Sequence, residues 1–208
     1  MKKLLPFLTA CLVLALSNFS MFRPDAAGGY QVGDKATDFK LKNVDGKLVS
    51  LADNKTAKGY IVVFTCNTCP YAKAYESRIM ALHQKYASQG YPVVAINPND
   101  PAVAPGDSFA EMQKRAKEKK YAFPYLQDEA QQVAKTYGAT RTPHLYVLTR
   151  QGSDFVVSYI GAIDDNSEDA TLVKTKYLEN AMTDIVAGKP ASVSATKAIG
   201  CTIKWKKA

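Results

Sequence analysis

Two cysteines, Cys66 and Cys69, stand two residues apart in "VVFTCNTCPYAK", and a proline follows the second. Thiols at this spacing suit four kinds of chemistry: reversible disulfide exchange, half of a metal site, a peroxide-reducing cysteine with its resolver, or a structural staple. The flanking residues say where the pair sits. Tyr60 to Thr65 is a continuous β-branched and aromatic run that reads as a strand buried on both faces. Pro70 suits the first position of a helix, because its missing N–H would have no partner there. A sulfur at such a junction meets unpaired N–H groups and the positive end of the helix dipole. Such settings lower a thiol pKa from about 8.5 to between roughly 3.5 and 7.5. Cys66 is therefore expected to attack, and Cys69, one turn inside and more covered, to resolve. A close pair at a helix start opens and closes reversibly, as an exchange catalyst needs.

The rival chemistries ask more of the chain. Zinc normally takes four ligands, and the other candidates here are Cys201, His83 and His144, with His83 well inside a helix. A staple across so short a segment would constrain the unfolded chain little. Neither a resident metal nor a cofactor is expected, and a non-catalytic binding module or a metal carrier using three thiols stays open as an alternative from a different class.

The N-terminus bears on the remaining cysteines. Lys2 and Lys3 precede an apolar run from Leu4 to Leu16, the form of a signal peptide, with small residues at Ala15 and Ser17 and again around Ala26 and Ala27. The run is short of the roughly 20 residues of a membrane span, although extension through Phe22 would make an uncleaved anchor. Leu8 to Cys11 has the look of a lipoprotein box, but the apolar segment before Cys11 is too brief and continues beyond it. Export to the periplasm or another extracytoplasmic space is expected, with membrane attachment through residues 1–27 as the alternative to cleavage. Cys11 leaves with the signal, and Cys66, Cys69 and Cys201 remain. An odd count in an oxidising compartment argues for at least one working thiol. Cys201 is either a redox relay to Cys66 or Cys69, or a free thiol packing the tail.

The elements that must position these groups follow from pattern. With 208 residues, 47% hydrophobic and 22% charged, the chain suits one globular domain with a real core. Part of the net charge of +8 lies between Gln113 and Lys120 at helical spacing; a solvated helix face explains it better than a nucleic-acid surface. Asp38 to Lys42 and Leu48 to Leu51 alternate around Asp45 and Gly46, a hairpin. Helices are expected from Cys69 or Pro70 to about Ala87, from Asp107 to Lys120 with Asp107 or Ser108 as cap, from Asp128 to Tyr137, and from Thr171 to Ala187. Strands are expected at Tyr91 to Ile96, Phe123 to Leu126, His144 to Thr149 and Asp154 to Ile160. That order implies an α/β fold, a central mixed sheet covered on both faces and preceded by a β-hairpin. Residues 28–190 form the domain, and 191–208 a C-terminal tail carrying Cys201. Asp164 to Asp169 lacks the glycine and terminal glutamate of a calcium loop and reads as a capping loop.

At this point several blocks resemble a family. "FTCNTCPYAKAYESRI", "DFKLKNVDGKLVSL", "VVAINPND", "FPYLQDEAQQVAKTYGATRTPHLYVL" and "YIGAIDD" look like the thioredoxin-like redoxins. Within these the chain is similar to a bacterial branch between peroxiredoxins of the alkyl hydroperoxide reductase/thiol-specific antioxidant type and exported thiol-disulfide oxidoreductases. The resemblance runs from about Val32 to Ala187. It implies a thioredoxin-like fold and a cis Pro143 facing Cys66 and Cys69, with Thr142 offering backbone contacts to extended substrate. It also implies protein dithiol or disulfide partners and an upstream electron donor, with peroxides as the alternative substrate. The chain departs from the family pattern in three places. Tyr60 stands where thioredoxins carry a buried acid, so either another group serves as acid or base, with Glu76 and His144 as candidates, or exchange is slower in that direction; the plainer readings are solvated helix surface for Glu76 and core or solvent for His144. Val63 replaces the threonine of typical peroxiredoxins, and Thr65 replaces an aromatic residue.

Overall fold

The computed structural model describes residues 28–207; the expected signal segment and Cys11 lie outside the described residues. Eight strands form one sheet in the order β1-β9-β8-β4-β5-β6-β2-β3. These are β1 (Lys35–Ala36), β2 (Lys40–Asn43), β3 (Leu48–Ser50), β4 (Gly59–Phe64), β5 (Val93–Asn97), β6 (Tyr125–Gln127), β8 (His144–Gln151) and β9 (Asp154–Gly161). A short pair, β7 (Arg141–Thr142) with β10 (Cys201–Thr202), stands apart from it. The helices are α1 (Pro70–Tyr86), α2 (Phe109–Lys119), α3 (Gln132–Tyr137) and α4 (Tyr177–Val186).

β4 is central and buried at every position. It runs parallel to β5 and antiparallel to β8, so both its faces need apolar cover. Alternate residues point to opposite sides of a sheet. Ile61 and Val63 pack with Tyr75, Ile79 and Leu82 of α1, Met112 of α2 and Met182 of α4. Tyr60, Val62 and Phe64 pack on the other side with Ala134 and Tyr137 of α3 and with Ile203 of the tail. Burying a side chain of this size contributes roughly 1.5–3 kcal/mol. The architecture is the thioredoxin-like α/β fold, with helices on both faces of a mixed sheet.

Some boundaries differ from the sequence pattern for local reasons. Ser108, not Asp107, caps α2 by accepting from the Glu111 N–H. α3 begins at Gln132 rather than at Asp128, whose side chain instead accepts from the Ala134 N–H at 2.8 Å. α4 begins at Tyr177 rather than Thr171, because Asp165 accepts from the Lys174 and Thr175 N–H groups and holds that stretch out of the helix. The tail is docked along the domain: Ile203 is buried, and the Lys204 N–H donates to Asn99 Oδ1 at 2.9 Å.

Candidate active site

The register of β4 against β8 builds the site. Phe64 pairs with His144, and continuing that register two residues beyond the strand ends sets Cys66 opposite Thr142. Cys66 Sγ lies 3.3 Å from Thr142 Oγ1, and the Cys69 thiol donates to the Thr142 carbonyl oxygen at 3.1 Å. The Thr142–Pro143 peptide bond is cis. Cys66, Cys69 and Ala72 form a small cluster against which Cys201 packs. All three cysteines are free thiols.

The helix cap falls on Cys69, not on Cys66, and both cysteines are 4% exposed. The expectation that Cys69 is the more covered of the two is corrected: both are equally buried, because Asp107 holds down the turn through Asn67 and Thr68 between them. The two sulfurs titrate as a pair. The neighbouring Cys66 thiol, helped by Cys201, draws the Cys69 thiol down against the opposing effect of burial. The neighbouring Cys69 sulfur, then burial and the nearby Asp107 carboxylate, push the Cys66 thiol up. Thr142 acts in the reverse sense. Its hydroxyl favours charge on Cys66, and its carbonyl oxygen can only accept, which keeps a proton on Cys69. One proton is therefore shared between the two sulfurs, and Thr142 biases where it rests.

Asp107 holds the intervening loop, a role the sequence pattern did not disclose beyond marking the residue as a cap. It is 1% exposed. Its carboxylate accepts from the Asn67 N–H at 2.6 Å, the Thr68 hydroxyl at 2.7 Å and Asn99 Nδ2 at 2.8 Å. Asn67 also accepts from the Tyr125 hydroxyl at 2.9 Å and donates to the Gly106 carbonyl at 2.9 Å. A carboxylate taking a buried N–H makes one of the stronger hydrogen bonds in a protein, so these residues set where Cys66 and Cys69 stand.

The two acid–base candidates sit elsewhere. Glu76 is nearly buried, not solvated helix surface: it accepts from Arg115 Nε at 2.8 Å and from the Tyr121 hydroxyl, and pairs with Lys119 at 3.2 Å. Those partners clamp α1 to α2, and its hydrogen bonds go to them rather than to a cysteine. His144 is buried beside Tyr146, with ring centroids 4.9 Å apart, and its Nδ1 accepts from the Thr140 N–H at 3.4 Å. Burial lowers its pKa to about 4, so it is neutral near pH 7 and also bonds away from the sulfurs. Asp164 makes a buried ion pair with Arg78 at 2.6 Å. No group of three His, Cys, Asp or Glu among the described residues could hold a metal ion. Nor is any described helix long and apolar enough to cross a membrane.

With this geometry in place, comparison with known proteins is informative. The model of the AhpC/TSA family matches residues 32–164. A Bacillus thuringiensis subsp. konkukian protein named thiol-disulfide oxidoreductase ResA is 23% identical over 122 residues, 59% of this chain and 66% of its own length. The chain thus spans just under two thirds of that relative. A Mycobacterium tuberculosis protein, MT2597, whose name places it with the peroxiredoxins, is 29% identical over 134 residues, 63% of this chain and 80% of that one. The crystal structure of an uncharacterized conserved protein from Geobacillus kaustophilus superposes with a TM-score of 0.78 at 37% identity, covering 86% of this chain and 94% of that one.

Proposed function

Because this chain belongs to the AhpC/TSA family of thioredoxin-like oxidoreductases, we propose that its working centre is the Cys66–Cys69 pair, exchanging dithiol for disulfide with exported protein substrates. The observation that carries this reading is the placement of both sulfurs on the two oxygens of one residue, Thr142. Cys66 attacks a substrate disulfide in the state that Thr142 favours, with the shared proton resting on Cys69 beside the Thr142 carbonyl. One substrate sulfur leaves as thiolate, and Cys66 holds the other in a mixed disulfide. Cys69 then attacks the Cys66 sulfur, the second substrate thiol leaves, and a Cys66–Cys69 disulfide remains. Two electrons and two protons pass to the substrate, and an external dithiol restores the pair. Extended substrate backbone lies along Thr142 and Pro143 once the tail segment at Cys201–Thr202 leaves that edge. The exported setting rests on Lys2, Lys3 and the apolar run from Leu4 to Leu16, and the ResA name of the relative supports the reaction class.

A second reading, reduction of peroxides, is favoured by the peroxiredoxin relative and by the Thr142 hydroxyl beside Cys66. Val63 leaves no hydroxyl at the position three residues before Cys66. The Cys69→Ser variant separates the two readings. It should capture protein partners through Cys66 as mixed disulfides, while the wild type reduces insulin. Absence of both, together with peroxide consumption that requires Cys66, would replace exchange with the peroxidase reading.

A further inference from the structure

The C-terminal tail does more than cover the domain. β10 lies antiparallel to β7, with Cys201 paired to Thr142 and Thr202 to Arg141. Arg141 Nη1 donates to the Gly200 carbonyl at 3.2 Å, and the Ile203 N–H donates to the Thr140 carbonyl at 3.3 Å. A Cβ on Gly200 would stand 2.3 Å from the Thr142 carbonyl oxygen, so only glycine lets the strand seat this closely. An extended segment paired to an open strand edge beside the reactive sulfurs is how a peptide substrate adds to a sheet.

We propose that Cys201 is a third reacting thiol, presented on β7 as a tethered substrate segment and forming an alternative disulfide with Cys69. This rests on the exchange reading above. Three cysteines converge on Thr142: Cys66 on its hydroxyl, Cys69 on its carbonyl, and Cys201 as its partner across the strand pair. Cys201 packs against the cluster that Cys66, Cys69 and Ala72 form. It is only half-buried, on an anchored segment fixed on its far side by Ile203.

The step balances without an added reagent. In the Cys66–Cys69 disulfide, the Cys201 thiolate attacks the Cys69 sulfur. The Cys69–Cys201 bond forms as the Cys66–Cys69 bond breaks, and Cys66 leaves as a thiolate facing the Thr142 hydroxyl. The proton given up by Cys201 is matched by the one Cys66 takes from solvent. The oxidation level is unchanged, and Cys66 is free while the oxidising equivalent is stored at the tail.

Trypsin reads the outcome directly. Cleavage after Lys58 and Lys73 leaves Cys66 and Cys69 in one peptide, and cleavage after Lys197 and Lys204 leaves Cys201 in another. The full-length chain is equilibrated with oxidised glutathione, alkylated and digested without reduction. The wild type should yield the internal Cys66–Cys69 disulfide and also a cross-linked pair of these peptides. Cys66→Ser should yield the cross-link alone, Cys69→Ser should not form it, and Cys201→Ser should keep the internal disulfide with no cross-link. An internal disulfide in the wild type with no cross-link there or in Cys66→Ser would overturn the role of Cys201 and leave the exchange reading standing. A cross-link that survives in Cys69→Ser would overturn the assignment to Cys69. Failure of the wild type to form the internal disulfide would count against the exchange reading itself.

Discussion

Asp107 and Asp164 are two buried carboxylates, 1% and 3% exposed, one bracing the loop before α1 and the other α1 itself. Asp164 reaches the middle of the helix, where it pairs with Arg78 at 2.6 Å and accepts from the Tyr75 hydroxyl at 2.9 Å. Arg78 in turn lies over the Tyr75 ring at 4.1 Å. Asp107 braces the loop before the helix through neutral donors: a main-chain N–H, a hydroxyl and amide groups. The first charge is cancelled where it stands. The second is stabilised by hydrogen bonds but keeps its field, which contributes to pushing up the Cys66 thiol. Burial and bracing are thus shared, and the absence of a countercharge makes Asp107 part of the electrostatics of the cysteines.

Removing the countercharge from Asp164 is the severest way to break this comparison. Arg78→Met should cost roughly 3–5 kcal/mol, because it leaves a buried charge unpaired. Urea unfolding measures that, and the exchange rate per folded molecule should stay unchanged. His144 sharpens the comparison as a buried group with no charged partner at all. Its pKa lies near 4 in the folded chain and 6.5 unfolded, so the unfolded chain takes up the proton first. Stability should be complete above pH 6.5 and fall as pH drops toward 4, by about 3 kcal/mol at most. A His144→Phe variant should lose that slope in acid unfolding titrations.

Asp107→Asn should cost less, about 1–3 kcal/mol, since the amide oxygen can still accept one of the bonds. It should also ease deprotonation of Cys66, shifting the pH midpoint of thiol alkylation downward. A stability loss with an unmoved midpoint would reduce Asp107 to a brace like Asp164. Tyr125→Phe removes only the hydroxyl that donates to Asn67 and should cost about 1 kcal/mol, with the alkylation midpoint unchanged.

How much of this was legible in the sequence varied with the range of the interaction. The strand before Cys66 and Pro70 at the helix start are local signals, and the resemblance added the Thr142–Pro143 step and the thioredoxin-like fold. Asp107 was legible only as a candidate cap. Its role depends on the turn at Pro105–Asp107 carrying it back to Asn67, forty residues earlier. Glu76 looks like exposed surface in a helix read alone, and is covered because α2 brings Arg115 and Lys119 across it. The β7–β10 pair escaped notice because each strand is two residues long, too short for alternation to register.

The central claim is that Cys66 and Cys69 interconvert between dithiol and disulfide. It is tested most directly by equilibrating the full-length chain across a series of glutathione redox buffers, alkylating the remaining thiols and weighing the tryptic peptides. A single two-electron transition is expected, in which the peptide carrying Cys66 and Cys69 gives up two hydrogens or joins the Cys201 peptide. Both cysteines remaining fully alkylated across the series would contradict it.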